Sequence, residues 1–342
     1  MSRPTLHDVA AKAGVSLTTT SMVLGGKGAR FSATVQQNVN AAAAALGYER
    51  NTLAAALRKG TNDHVAIVMP TSPEAGPSLR LLFDSPFFAD FFAGFEHAAT
   101  SRGVPFVLNR LSDPVQLQAQ ISANRPRAAL VLGTLPDTLM ATIGRWEIPT
   151  AVVDNAEGCT PYRDNPHLID FSLDDHRMGY LGMRRLLDQG HRRVLLLFGT
   201  LAVSGVHRRR HEGALAAMAE VAGVAADLIE IPAVSFEAAE AVAGSLAEAV
   251  QGGATAILCM ADILALGCYA GLHRRGLRVP QDVSLCGMDG LRLLDYLPYR
   301  LDTVDQRIVD RGMQVARLLL DGEGGAAVEP VVREGDTVAA RR

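Results

Sequence analysis

Three aspartates stand just beyond apolar, β-rich runs: Asp154 after TAVV, Asp262 after TAILCMA and Asp289 after DVSLCGM. Ligands of open α/β sheets gather beyond the carboxyl ends of the strands, and carboxylates there accept hydroxyl donors well. A guanidinium adds a rigid fork of donors, and HRRRHEG supplies Arg210 three residues before Gly213. Phe87-Phe88 opens the helical stretch that follows the first strand-like run. These residue types suit the binding of a polar small molecule. Other readings compete. Asp154 reads equally as a turn residue, Asp262 reads first as the cap of its helix, and Arg208 and Arg209 read as a solvated helix face.

Catalysis finds no comparable set. LGGKGARF lacks the spacing of a phosphate loop and lies between helices rather than after a strand. Ser204 has His207 and His211 nearby, without a nucleophile elbow. The four cysteines (Cys159, Cys259, Cys268, Cys286) show no metal spacing and read as small core residues of a reducing cytoplasm. No metal and no cofactor is implied. No apolar run reaches the roughly 18 residues a bilayer requires. The start, with Asp8 and Lys12 inside its periodic stretch, is not a signal peptide. Two or three domains fit 342 residues, 48% of them hydrophobic.

Charge divides the chain. Residues 1–60 hold seven Lys and Arg against two acidic residues, a net +5, so the −3 of the whole leaves −8 for the remainder. A basic head on an acidic body suggests a polyanion partner for the head. Thr5 and Asp8 form a capping-box pattern, and Leu6, Val9, Ala10 and Ala13 then recur on one helix face before Gly14. Ser16 caps a second helix that Gly25-Gly26 should stop. Ser32 caps a third, with Val35, Val39, Ala42, Ala43 and Leu46 facing inward before Gly47. Two short helices around a Gly-containing turn match the helix-turn-helix unit, with a three-helix protein-interaction module as the alternative. NTLAAALRKG (residues 51–60) then describes a helix too short to stand alone.

The run T-x-x-D-V-A-x-x-A-G-V-S from Thr5, the L-G-Y at 46–48 and the linker N-x-x-A-x-x-L from Asn51 together resemble the lactose-repressor (LacI/GalR) family. The resemblance implies that Leu17, Thr18 and Met22 face base edges in the major groove and that Thr5, Ser16, Thr19 and Ser21 hold phosphates. It implies a linker that becomes a hinge helix on operator DNA, with Ala54 allowing close approach of its twin and Leu57 wedging into the minor groove. Relatives often carry Arg or His at the position of Met22 and Asn at that of Gly25, and Thr20 replaces a usual Val. No known operator therefore transfers.

The body alternates strand-like runs with helices in two series: HVAIVM, VPFVL, AALVLG and PTAVVD, then HLIDF, RVLLLF, DLIEI, TAILC and DVSLC. Near-continuous apolar strands between helices mean parallel sheets covered on both faces. The resemblance makes this a two-lobed, periplasmic-binding-protein-like α/β body behind an all-α head. It implies a DNA-binding domain over 1–50, a hinge over 51–61 and an effector-binding and dimerisation domain over 62–342. The DNA-proximal lobe is expected at about 62–171 and 302–331, the distal lobe at 172–301 and 332–342. In the family the matches of Arg210 and Asp289 bond the effector and that of Phe88 packs on it. Ala261 stands where relatives have Asn beside the match of Asp262. The segment 72–86 reads as a surface insertion, or as a lid over the cleft.

The expected protein is therefore a cytoplasmic, dimeric transcriptional regulator, in all expectation a repressor, that binds palindromic double-stranded DNA and a sugar-like effector. A transport solute-binding protein and a sugar-processing enzyme are the alternatives. The C-terminal REGDTVAARR lacks the heptads of a coiled-coil tetramer, which favours the dimer.

Overall fold

The computed structural model describes residues 4–48, 62–69, 85–110, 113–133, 135–202 and 204–341. The chain forms two compact units, Met1–Asn62 and Asp63–Arg342. The linker helix expected at 51–60, with Ala54 and Leu57, and all but the end of the segment 72–86 lie outside the described residues.

In the first unit, α1 (Leu6–Ala13) begins with a full capping box. The Thr5 backbone N–H donates to Asp8 Oδ2 at 2.8 Å, and the Asp8 N–H donates to Thr5 Oγ1 at 3.3 Å. Gly14 ends it in the left-handed region at φ 67, where a side chain would be strained. Ser16 caps α2 (Leu17–Met22), its hydroxyl accepting the Thr19 N–H at 3.1 Å. Gly25-Gly26 does not stop this helix as expected. The chain widens into a π turn over Val23–Lys27 and then a 3-10 turn over Gly28–Arg30. Glycines weaken the α geometry and often end a helix by turning left-handed, but Gly28 keeps φ at −65. Ser32 caps α3 (Ala33–Leu46), whose Ala42 and Ala43 pack on Val9 with Leu24 and Tyr48 at the edge, and whose Val39 is also buried. Thr20 is buried where a Val would fit, because its hydroxyl donates to the Ser16 carbonyl at 3.0 Å.

The second unit holds two sheets. The first runs β2-β1-β3-β4-β5 and is parallel in its β1–β2, β3–β4 and β4–β5 pairs: β1 (Asn62–Val68), β2 (Phe106–Asn109), β3 (Pro126–Val131), β4 (Thr150–Val153) and β5 (Leu168–Phe171). It is flanked by α4 (Pro86–Thr100), α5 (Pro114–Asn124) and α6 (Asp137–Ile143), with the short α7 (Ala156–Cys159) after β4. HLIDF, grouped above with the second series, is β5 at the edge of this first sheet.

The second sheet runs β11-β10-β9-β8-β6-β7. Its strands are β6 (Arg193–Gly199), β7 (Ala225–Ile231), β8 (Ala256–Cys259), β9 (Ser284–Asp289), β10 (Asp302–Asp305) and β11 (Val331–Arg333), with only β11 antiparallel to its neighbour. Its helices are α8 (Asp175–Asp188), α9 (Gly205–Ala219), α10 (Phe236–Ala241), α11 (Ala243–Gln251) and α12 (Asp262–Arg274). The last helix, α13 (Ile308–Asp321), packs back on α4 and the first sheet. The expected crossing near Arg300–Leu301 therefore falls later. Asp302–Asp305 pairs with β9, and the chain leaves the second sheet only after Asp305. Val331 already pairs with Asp305, so the return crossing precedes it.

Each lobe rests on a helix pair in backbone contact. A Cβ on Gly213 of α9 would lie 1.9 Å from the His176 carbonyl of α8, and one on Gly179 would lie 1.7 Å from the Arg210 carbonyl. The first lobe repeats the arrangement: Gly94 of α4 faces the Val309 carbonyl at 2.0 Å and Gly312 of α13 faces that of Phe91 at 2.1 Å. Only hydrogen fits there, which explains the glycine three residues after Arg210. Gly213→Ala is expected to force α8 and α9 apart and destabilise the body by about 1–3 kcal/mol, as overpacked cores do. Urea unfolding checks this, and an unchanged midpoint would mean that the helices part freely.

Candidate functional site

On the head, Thr5 stands at the start of α1, and Ser16 and Thr19 at the start of α2. Thr5 and Ser16 serve as caps, and Ser16 Oγ lies 2.9 Å from Thr19 Oγ1. Helix N-termini with hydroxyls and no acidic residue in the first turn, as in α2, are suited to phosphate oxygens. Thr18 is exposed, and Leu17, Ser21 and Met22 are half-buried on the same short helix.

In the body, Arg210 is the centre of the polar groups. Glycine contact brings α8 against α9, so that Arg210, 5% exposed, reaches Asp175 Oδ1 with Nε at 2.9 Å. Its Nη1 donates to the Met260 carbonyl at 2.7 Å and to Asp289 Oδ1 at 3.1 Å. Burial alone would lower the guanidinium, but Asp175 and Asp289 outweigh it and hold Arg210 charged. Burial in turn pushes both carboxyls up against the pull of the Arg210 charge. Asp289 ends β9 at φ 125, an unusual conformation for a residue with a side chain, and also accepts from Gln306 Nε2 at 2.7 Å.

Gln306 continues the chain of contacts. Its Oε1 accepts from Arg311 Nη1, and Arg311 Nη2 donates to Asp154 Oδ1 at 2.5 Å. Asp154 is thus at once a left-handed turn residue, at φ 54, and a charged partner, and it also accepts the Leu173 N–H at 3.1 Å. Phe87 and Phe88 stand edge to face, 5.3 Å apart, half-buried at the start of α4.

One reading of the sequence needs correction: Asp262 is not the cap of its helix, since Ala261 holds that position. Its carboxylate is turned into the fold and fully buried, with Oδ2 accepting the N–H groups of Gly290 and Leu291 at 2.7 and 3.0 Å and Oδ1 accepting the Thr303 hydroxyl at 2.6 Å. Burial pushes its carboxyl well above the usual range, the charge of Asp289 adds to this, and those three donors oppose it. Asp262 shapes the turn that carries Asp289. Arg208 and Arg209 are partly solvated and both also reach Glu157 of α7, at 2.5 and 3.8 Å.

Asp175, Gln306 and Arg311 escaped the sequence reading. The available signals were a second aspartate after the cap Asp174 and an arginine on the otherwise apolar face of α13. Among the described residues no cluster could hold a metal ion, and no helix is long and apolar enough to cross a membrane.

Comparison with known proteins fits this geometry. Residues 5–51 match the family described as bacterial regulatory proteins, lacI family, and residues 183–342 match a periplasmic binding protein-like domain. The HTH-type transcriptional repressor PurR of Yersinia pestis (strain Pestoides F) is 30% identical over 328 residues, covering 93% of this chain and 89% of that protein. This chain belongs to the lacI family. As a lacI-family protein it is a DNA-binding transcriptional regulator and not an enzyme. The HTH-type transcriptional regulator reg1 of Streptomyces lividans is 29% identical over 337 residues, covering 94% and 90%. Among solved structures, the Lac repressor bound to ONPG in the repressed state aligns at TM-score 0.73 and 22% identity, over 98% of this chain and all of that one. The complex of the regulator CelR with cellobiose aligns at 0.65 and 23%, over 98% and 100%.

His207, beside Arg210, gives this lacI-family body a pH dependence. Burial, reinforced by the Arg210 charge, lowers its pKa to about 4 from 6.5, and its Nδ1 has no hydrogen-bond partner. Between those values the unfolded chain takes up a proton that the folded one refuses, so stability falls as pH drops through the window. His207→Gln is expected to flatten the urea midpoint between pH 6.5 and 4.5. Equal slopes for both proteins would exclude His207 as the cause.

Proposed function

We propose that the chain is a cytoplasmic, homodimeric repressor that binds a palindromic operator and changes its affinity when a sugar or related metabolite occupies the cleft of the body. The observation that carries this is the meeting of Arg210 and Asp289 at a strand end, in a chain whose head is of the lacI type. Carboxylates and guanidinium groups together suit vicinal hydroxyls. Solved relatives in complex with cellobiose and with ribose support the ligand class. The edge strand β2, with Phe106, Val107 and Leu108 each more than a third exposed, supports association of two copies.

In this reading residues 1–50 bind DNA, 51–61 order as a hinge helix on the operator, and 62–342 bind effector and dimerise. Leu17, Thr18 and Met22 read bases, Thr5, Ser16, Thr19 and Ser21 hold phosphates, and Ala54 and Leu57 work in the minor groove. Phe87, Phe88, Asp154, Arg210 and Asp289 meet the effector. The two lobes respond together, which couples one site to the other.

A thermal-shift screen of sugars, polyols and nucleosides tests the cleft, because a ligand at 100 times its Kd adds about 2.7 kcal/mol. Asp289→Asn keeps the size of the side chain and leaves Arg210 its Asp175 partner. It is expected to abolish the effect of the ligand on mobility shift of the DNA upstream of the gene while preserving ligand-free binding. Retained ligand response would remove Asp289 from the site. Met22→Arg is expected to move operator preference toward guanine at one base pair per half-site, by roughly 1–3 kcal/mol. Selection from randomised half-sites checks it, and identical preferences would show that Met22 faces no base.

A further inference from the structure

Around the cleft the polar contacts between the lobes include a buried set at the hinge and more exposed ones, among them the Arg292 N–H donating to Asp90 Oδ2 of α4 at 2.9 Å and an ion-pair cluster at Glu157. At the hinge, Arg311 of α13 holds Asp154 and Gln306, and Gln306 holds Asp289 of β9. All of this is shielded, with Arg311 2% and Gln306 1% exposed. Three residues beyond Asp154, Glu157 of α7 in the first lobe meets the first turn of α9 in the second. Glu157 Oε2 lies 2.5 Å from Arg208 Nη2, and Oε1 lies 3.8 Å from Arg209 Nη1. Arg209 leads onward to Asp175 at 3.4 Å and so to Arg210. The Glu157 carboxyl also lies over Gly205, where an added Cβ would come within 2.9 Å of it. A negative charge there faces the positive end of the α9 dipole as well as two arginines.

We propose that Glu157 with Arg208 and Arg209 is a latch that holds the two lobes together across the mouth of the cleft and must part before a ligand passes. Its strength suits the task. The side chains of Arg208 and Glu157 are 39% and 52% exposed, so water and salt screen the pair. Exposed pairs shift an equilibrium by only a few-fold, enough to bias closure and little enough to release. The buried hinge pairs keep their charges apart from solvent and serve as the pivot. The screened Glu157 pair parts more cheaply than the buried hinge pairs, so an opening motion about the hinge parts it first. The latch regulates the same cleft that the proposed function assigns to an effector, and its biological meaning rests on that reading. Its test needs no ligand, so failure of either idea is distinguishable from failure of the other.

The native cysteines are all buried, so cysteines introduced at the exposed Thr138 and Gln251, one in each lobe, take spin labels selectively. Distances between the labels are read in the full-length, ligand-free protein. Glu157→Gln is expected to raise the population at the longer distance about fivefold, the scale of an exposed ion pair. Arg208→Gln should act in the same direction. Sodium chloride at ~1 M, where charges are screened beyond roughly 3 Å, should open the wild type and add nothing to Glu157→Gln. The double variant Glu157→Gln with Arg208→Gln should open no further than Glu157→Gln alone. Unchanged distances in both single variants would overturn the latch, as would a double variant that opens by the product of the two single effects.

Discussion

Burying a guanidinium bare would cost several kcal/mol, and removing one partner from a buried pair costs about 3–5 kcal/mol. The second lobe is arranged to avoid that cost at Arg210. Asp175 comes from α8, Asp289 from the end of β9, and a carbonyl from Met260 after β8. Three elements are thereby fixed against α9. The constraint does not stop at the lobe boundary, because Asp289 also takes the amide of Gln306, and Gln306 takes Arg311. Side chains that would greet a ligand are thus the same ones that orient the lobes. A molecule competing for Asp289 or Arg210 alters the hinge network directly, without any longer relay.

Much of this was legible in the residues. The apolar runs RVLLLF, TAILC and DVSLC became β6, β8 and β9 because strands buried on both faces need little else in their sequence, and DLIEI became the more exposed edge strand β7. The carboxylates at strand ends and Arg210 before its glycine marked one region, and Asp154, Arg210 and Asp289 do join one network. What escaped has physical reasons. Strand β10 reads DTVD, with polar residues that are paired only by tertiary contacts: Asp302 takes Arg185, and Thr303 takes Asp262. A polar strand of that length carries no hydrophobic period. Gln306 follows directly on this strand and was hidden for the same reason, whereas Arg311 was marked only by its place on the otherwise apolar face of α13. Asp262 misled because position after a strand does not say which way a carboxylate turns, and two backbone N–H groups claimed it first.

The head shows the complementary case. Its helix starts were plain because caps are local chemistry, readable within four residues. The π turn after α2 was not, since two glycines allow a widened turn as readily as an end. That turn follows directly on Met22, so this side chain stands at the junction between two helical geometries rather than inside a regular helix.

The reciprocal glycine contacts of α8 with α9 and of α4 with α13 have a mechanical meaning. Where carbonyl oxygens rest almost on the opposite backbone, neither helix can slide or roll without collision, and packed interiors transmit such strain instead of absorbing it. Each lobe then behaves as a stiff plate. Bending is left to the connections between plates, which lie after β5, after β10 and between α13 and β11. Compliance concentrated in so few residues turns a small displacement at the cleft into a large arc at the far rim. The lobes work as levers.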